Sequence, residues 1–162
     1  MPTASRSRTI AAPAADLWEV VRDPHHLPRW WPRVERVEGV EDRAFTEVMR
    51  TRKGRVVRAD FDVIDLREEG QRRTLRWGQR IEGTPFAAVL SACEIELALE
   101  PARELEYSTA VTIALHQEMR RQSVRDAVGK WSVNRGGGSF LVRRAARATV
   151  EEALDGLERI SG

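Results

Sequence analysis

Apolar residues recur along this chain first at helical spacing, then at strand spacing, then at helical spacing again. Arg6 and Arg8 alternate with Ser5, Ser7 and Thr9 in a short first strand that ends at Ile10, and Ala11-Ala12-Pro13 breaks it. Pro13 suits the first position of a helix. Leu17, Trp18, Val20 and Val21 come next at helical spacing, so 14–22 reads as a short helix. Asp23-Pro24 stops it, because proline disfavours helix in the residue before it. Asp23 is then placed to cap a second short helix running through Trp31, which Pro28 and Pro32 keep brief and bent.

From Val34 the period is two. Val34, Val37 and Val40 predict a strand with an irregularity, ended by Glu41-Asp42. Phe45 to Thr51 reads as the next strand, with a tight turn at Lys53-Gly54. Val57, Ala59, Phe61 and Val63 alternate with Arg58, Asp60 and Asp62, which gives one buried and one wet face. After a turn at Glu69-Gly70, Leu75, Trp77, Gln79 and Ile81 do the same, until Gly83-Thr84-Pro85 breaks the strand. Cys93, Ile95, Leu97 and Leu99 share a face opposite Glu94, Glu96 and Glu100. Pro101 to Glu104 reads as a turn, and a last strand runs from Leu105 through Tyr107 and Thr109 to Leu115.

Residues 120–138 are polar and end in three glycines, so a loop is expected there, with Ser139 as the cap of a closing helix. Phe140, Ala146, Val150, Ala153, Leu154, Leu157 and Ile160 form one stripe of that helix, which is roughly 30 Å long.

Short turns between successive strands make neighbours antiparallel, and strands in a row closed by a helix imply an α+β fold. The expectation is a curved antiparallel sheet of six to seven strands wrapped around a long C-terminal helix, with two short helices after the first strand. At 162 residues, this makes a single domain over 1–162.

Composition narrows the function. Apolar content of 41% and charged content of 32% suit a folded domain. The longest apolar stretch, Phe86–Cys93, falls well short of the roughly 20 residues of a membrane span, so no transmembrane segment is expected. The N-terminus lacks the apolar core of a secretory signal, and Cys93 has no second cysteine to pair with, so the expected location is cytoplasmic. The densest basic run is Arg50, Arg52, Lys53, Arg55 and Arg58, at a hairpin tip. No aromatic residue lies between Thr46 and Asp60 for bases to stack on, so no nucleic-acid partner is expected.

The N-terminal run joins an Ile10 strand, a Pro13-marked helix with Leu17-Trp18, Asp23, Trp30-Trp31-Pro32 and a Val34–Val37 strand. In these features the chain resembles the START-like superfamily, in particular its polyketide cyclase/dehydrase branch, whose fold is called the helix-grip. The strand series and the closing amphipathic helix extend the resemblance over nearly the whole chain. It implies hydrophobic ligand or lipid binding in a cavity between sheet and helix, but fold alone does not settle function.

Strand parity supplies the candidate ligand-binding residues: Met49, Phe61, Val63, Trp77, Gln79, Ile95, Ile113, Leu115 and Gln117 are expected to face inward. Phe140 is placed to close the space from the helix. Adjacent tryptophans are not expected to share one core, so one of Trp30 and Trp31 packs under the sheet edge and the other, Trp31, stands at the cavity mouth. The amides of Gln79 and Gln117 need partners if buried. No catalytic residue is assigned. The resemblance implies that cyclases pair a pocket arginine with hydroxyl groups, yet Arg76 and Arg80 have outward parity and Tyr107 is the only tyrosine. His25-His26 cannot readily chelate one ion, and no phosphate loop, dinucleotide fingerprint or nucleophile elbow occurs, so neither metal nor cofactor is expected.

The leading expectation is a binder or carrier of a small hydrophobic molecule: a lipid, polyketide or isoprenoid. A polyketide aromatase/cyclase or dehydratase working in the same cavity is the alternative, and a protein-interaction module a third. A homodimer is left open.

Overall fold

A computed structural model describes residues 2–120 and 137–162, with the side chains of 137–139 left aside. Strand β1 (Ala4–Ile10) leads into helix α1 (Ala14–Val21), a 3-10 turn (Pro24–His26) and helix α2 (Leu27–Trp30). Six strands come next: β2 (Val34–Glu41), β3 (Ala44–Arg50), β4 (Val56–Glu69), β5 (Arg72–Gln79), β6 (Leu90–Pro101) and β7 (Thr109–Met119). Helix α3 (Gly137–Ser161) closes the chain.

The strands form one antiparallel, curved sheet in the order β1-β7-β6-β5-β4-β3-β2. Local chemistry explains the punctuation. Pro13 caps α1 from one position outside it, and the Asp23 carboxylate accepts the His25 N–H at the start of the 3-10 turn. Gly54 and Gly70 turn two hairpins with positive φ, 82° and 60°. The irregularity expected in β2 is present as register shifts between Val34 and Arg36 and between Glu38 and Glu41.

Helix α3 lies against β1, β7 and α2. Ala146, Val150, Ala153, Leu154 and Leu157 are buried along it, as the stripe requires. Arg8 on β1 reaches across to Glu151, Asp155 and Glu158, three acids spaced along the exposed edge of α3. At the other side Gly156 lies on the backbone of Trp30 in α2. The sheet, α1, α2 and α3 thus share one core.

Three expectations need correction. The last strand starts at Thr109, not Leu105. Residues 102–108 form the turn, where Leu105 and Tyr107 are exposed and Tyr107 takes φ 60°. Gly137 and Gly138 already belong to α3, so Ser139 lies inside the helix rather than capping it. The part of the expected loop over 121–136 lies outside the described residues. Finally, Trp30 and Trp31 both enter one core. The chain leaves the helix at Trp31, which is extended (φ −83°, ψ 133°), and the two rings meet edge to face at 5.5 Å.

Candidate functional site: a cavity between sheet and helix

A stripe of side chains on a helix fills a curved sheet only where those side chains are large. Toward its C-terminal end α3 offers Leu154 and Leu157, which are fully buried. Nearer its N-terminal end it offers Ala145, Ala146 and Thr149, which are too small to fill the space between helix and sheet. The space left is a cavity of about 330 Å³.

Its walls come from several strands. Met49 on β3, Phe61 on β4, Ile95 on β6 and Leu115 on β7 form apolar surface, with Phe86 and Leu90 at one side. An aromatic cluster closes the floor: Phe45 stacks on Phe61 at 5.5 Å, and Trp77 sits edge-on to both Phe45 and Trp31. The mouth carries Arg33, Arg50 and Thr51. Arg33 holds a left-handed backbone (φ 66°) directly after Pro32, and its carbonyl accepts the Arg50 N–H. Arg50 is itself engaged by Glu35.

The polar groups inside are set by register. Phe61 pairs with Gln79, and Cys93 with Gln117. Gly78 pairs with Glu94, so the next inward residue, Gln79, stands opposite Cys93. Gln79, Cys93 and Gln117 therefore form one row across three strands. The Gln117 side chain hydrogen-bonds the Cys93 thiol, while burial pushes that thiol up to about 11. Gln79 Nε2 is buried with no partner among the described residues, as are the Trp30 and Trp77 indole N–H groups.

Glu47 is the residue that sequence reasoning missed. It is 1% exposed, lines the cavity and leaves Oε1 without a hydrogen bond. Desolvation alone raises its carboxyl to about 8. The sequence does carry a signal for it: Glu47 lies midway between Phe45 and Met49, so any register that buries both also buries Glu47.

Of the candidates, Trp31, Met49, Phe61, Gln79, Ile95, Leu115 and Gln117 line the cavity. Val63, Trp77 and Ile113 face inward but pack into the solid core beside it. Phe140 does not close the space. It is 56% exposed, because six residues of helix turn it about 120° away from Ala146. Arg76 and Arg80 point outward, as their parity implies, toward Glu94 and Asp62. Among the described residues, no His, Cys, Asp or Glu group is arranged to hold a metal, and no helix is long and apolar enough to cross a membrane.

A family model described as polyketide cyclase / dehydrase and lipid transport matches residues 1–161. The chain belongs to this polyketide cyclase/dehydrase family. Among solved structures, this family member is similar to a START superfamily protein from Mycobacterium smegmatis, at 15% identity and TM-score 0.70, over 98% of this chain and 95% of that one. It is also similar to the di-domain ARO/CYC StfQ from the steffimycin biosynthetic pathway, at 14% identity and TM-score 0.72, covering 98% of this chain and 49% of that one. A Thermus thermophilus protein matches at 22% identity and TM-score 0.65, over 96% of this chain and 94% of that one. These likenesses establish the helix-grip fold of the family. A search of curated proteins finds no match.

Proposed function

We propose that this chain binds a small, largely apolar molecule in the cavity beneath the N-terminal half of α3. The observation that carries the reading is the cavity itself. Its volume lies at the small end of the roughly 300–1,000 Å³ that proteins use for drug-sized ligands. Its walls are mainly apolar, with a few inward polar groups left unpaired. A space kept only as a packing defect would cost stability and would not be lined with unpaired polar atoms.

Titration of the protein with naphthalene, followed by quenching of its tryptophan fluorescence, tests this. Saturable quenching is expected in the native protein, and its loss in Ala146→Phe, which fills the cavity while α3 stays docked through its C-terminal half. Absence of saturable binding in the native protein would end the proposal.

A second reading, a polyketide aromatase/cyclase or dehydratase acting in the same cavity, is favoured by Glu47. A carboxyl raised to about 8 can give or take a proton near neutral pH, which aldol closure and water loss require. Incubation with a poly-β-keto thioester should then yield one ring pattern, lost in Glu47→Leu. A product mixture unaffected by the protein would leave binding as the activity.

A further inference from the structure

Glu47 costs stability where it stands, and an aliphatic residue would pack there without penalty. No cation faces it. On β2 its partner is Val37; the flanking Arg36 and Glu38 lie on the sheet's outer face, bonded to each other. On β4 its partner is Ala59; the flanking Arg58 and Asp60 are also outward, bonded to Glu38 and to Thr46. Of the described side chains, helix α3 brings Ala145, Ala146 and Thr149 to the cavity, and the other ionisable groups lining it are Cys93 and, at the mouth, Arg33 and Arg50.

Desolvated and without a counter-charge among the described residues, the carboxyl keeps its proton in neutral solution, and a protonated carboxyl is a hydrogen-bond donor. Gln79 Nε2 is a second donor without a partner in the same cavity. The cavity therefore holds two unmet donors within mainly apolar walls, behind a cationic mouth. A wholly apolar guest leaves both donors unmet. An amine would have to pass Arg33 and Arg50 and ionise Glu47 in a desolvated site, where an ion pair returns little of its desolvation cost. A carbonyl oxygen, with two lone pairs, can accept from both: Glu47 and Gln79 flank β4 at Ala59 and Phe61, two residues apart on the same face, and both line the cavity.

We propose that Glu47 and Gln79 form a two-donor anchor that selects apolar guests carrying a ketone or similar carbonyl oxygen. This rests on the ligand-binding reading above and names the chemistry of its guest.

The test compares three probes of similar apolar body by calorimetric titration: naphthalene, acetylnaphthalene and naphthylethylamine. At pH 6 acetylnaphthalene should bind about tenfold tighter than naphthalene, the combined worth of two net hydrogen bonds, and the amine should bind most weakly. That advantage should shrink at pH 9.5, where Glu47 has lost its proton, fall to about threefold in Glu47→Leu at both pH values, the worth of the one donor left on Gln79, and vanish in the double variant Glu47→Leu/Gln79→Leu. Glu47→Gln, which retains a donor, should keep part of it and lose the pH dependence. If naphthalene binds but acetylnaphthalene gains nothing, or the full gain survives Glu47→Leu, the anchor is wrong and the binding reading stands. Tighter binding of the amine would likewise overturn the anchor. If no probe binds, both fail.

Discussion

Gly156 on α3 lies directly on the backbone of Trp30 in α2: a Cβ added to the glycine would stand 2.2 Å from the Trp30 carbonyl oxygen and 2.8 Å from its Cα. Backbone cannot swing aside as a side chain tip can. The close approach lets the helix and the tryptophan pair share one layer of core.

Gly156→Ala should therefore destabilise the protein, although alanine is the better helix former by about 1 kcal/mol. Overpacking costs about 1–3 kcal/mol, and a 2.2 Å approach to backbone puts this site at the upper end, so a net loss of about 1–2 kcal/mol is expected by urea denaturation. A gain in stability would mean that α2 shifts freely on α3.

Stability should fall as pH rises from about 5 to about 8, and fall again above about 9, where the buried Cys93 thiol keeps a proton that the unfolded chain gives up. Glu47 has a folded pKa near 8, above the ordinary 4.5, so the folded state holds a proton that the unfolded state has released. The stabilisation is complete below the unfolded value and is lost as pH rises through the folded one. Asp23 and Asp62, held below the usual carboxylate range, oppose this only in more acidic solution. The loss across the window is about 3–5 kcal/mol, read as midpoint shifts in urea at a series of pH values. Glu47→Gln should flatten that part of the profile.

Leu154→Ala and Leu115→Ala should differ in cost although both leucines are buried. Leu154 sits in the packed half of the interior, where truncation costs about 3–5 kcal/mol. Leu115 borders the cavity and already lacks neighbours on one side, so about 2 kcal/mol is expected. Equal losses in denaturation would argue that the space is not empty in solution.

Arg8→Gln should lower stability by about 1 kcal/mol in dilute buffer and by less in molar salt. Its guanidinium meets three acids of α3 at the surface, and such networks are modest and screened. A loss independent of salt would point to packing of the arginine stem instead.

The architecture is legible in the sequence because alternation from Val57 to Leu115 and the stripe from Ala146 to Leu157 each have one consistent period. Ends are less legible: Leu105 and Tyr107 continue the alternation of β7 but belong to the turn before it. The sharing of one core by Trp30 and Trp31 escapes sequence reasoning because helical geometry stops one residue earlier than the pattern suggests; extended backbone at Trp31 lets both rings turn inward. The cavity's walls are implied by parity, yet its most unusual member is not. A glutamate in an apolar row reads as an outward residue until the register on either side is fixed, and cost alone never predicts where a chain accepts a buried acid. Phe140 shows the converse, since a helical stripe drawn over too many turns gathers a residue from another side.

Helix α3 divides its labour along its length. Leu154, Leu157 and Gly156 hold it to the rest of the molecule, whereas Ala145, Ala146 and Thr149 only roof the cavity. Those three positions can change size with little effect on anchorage. Exchanging a few small side chains overhead can thus reshape the hollow, while the clasp at the far end that keeps the molecule folded goes untouched.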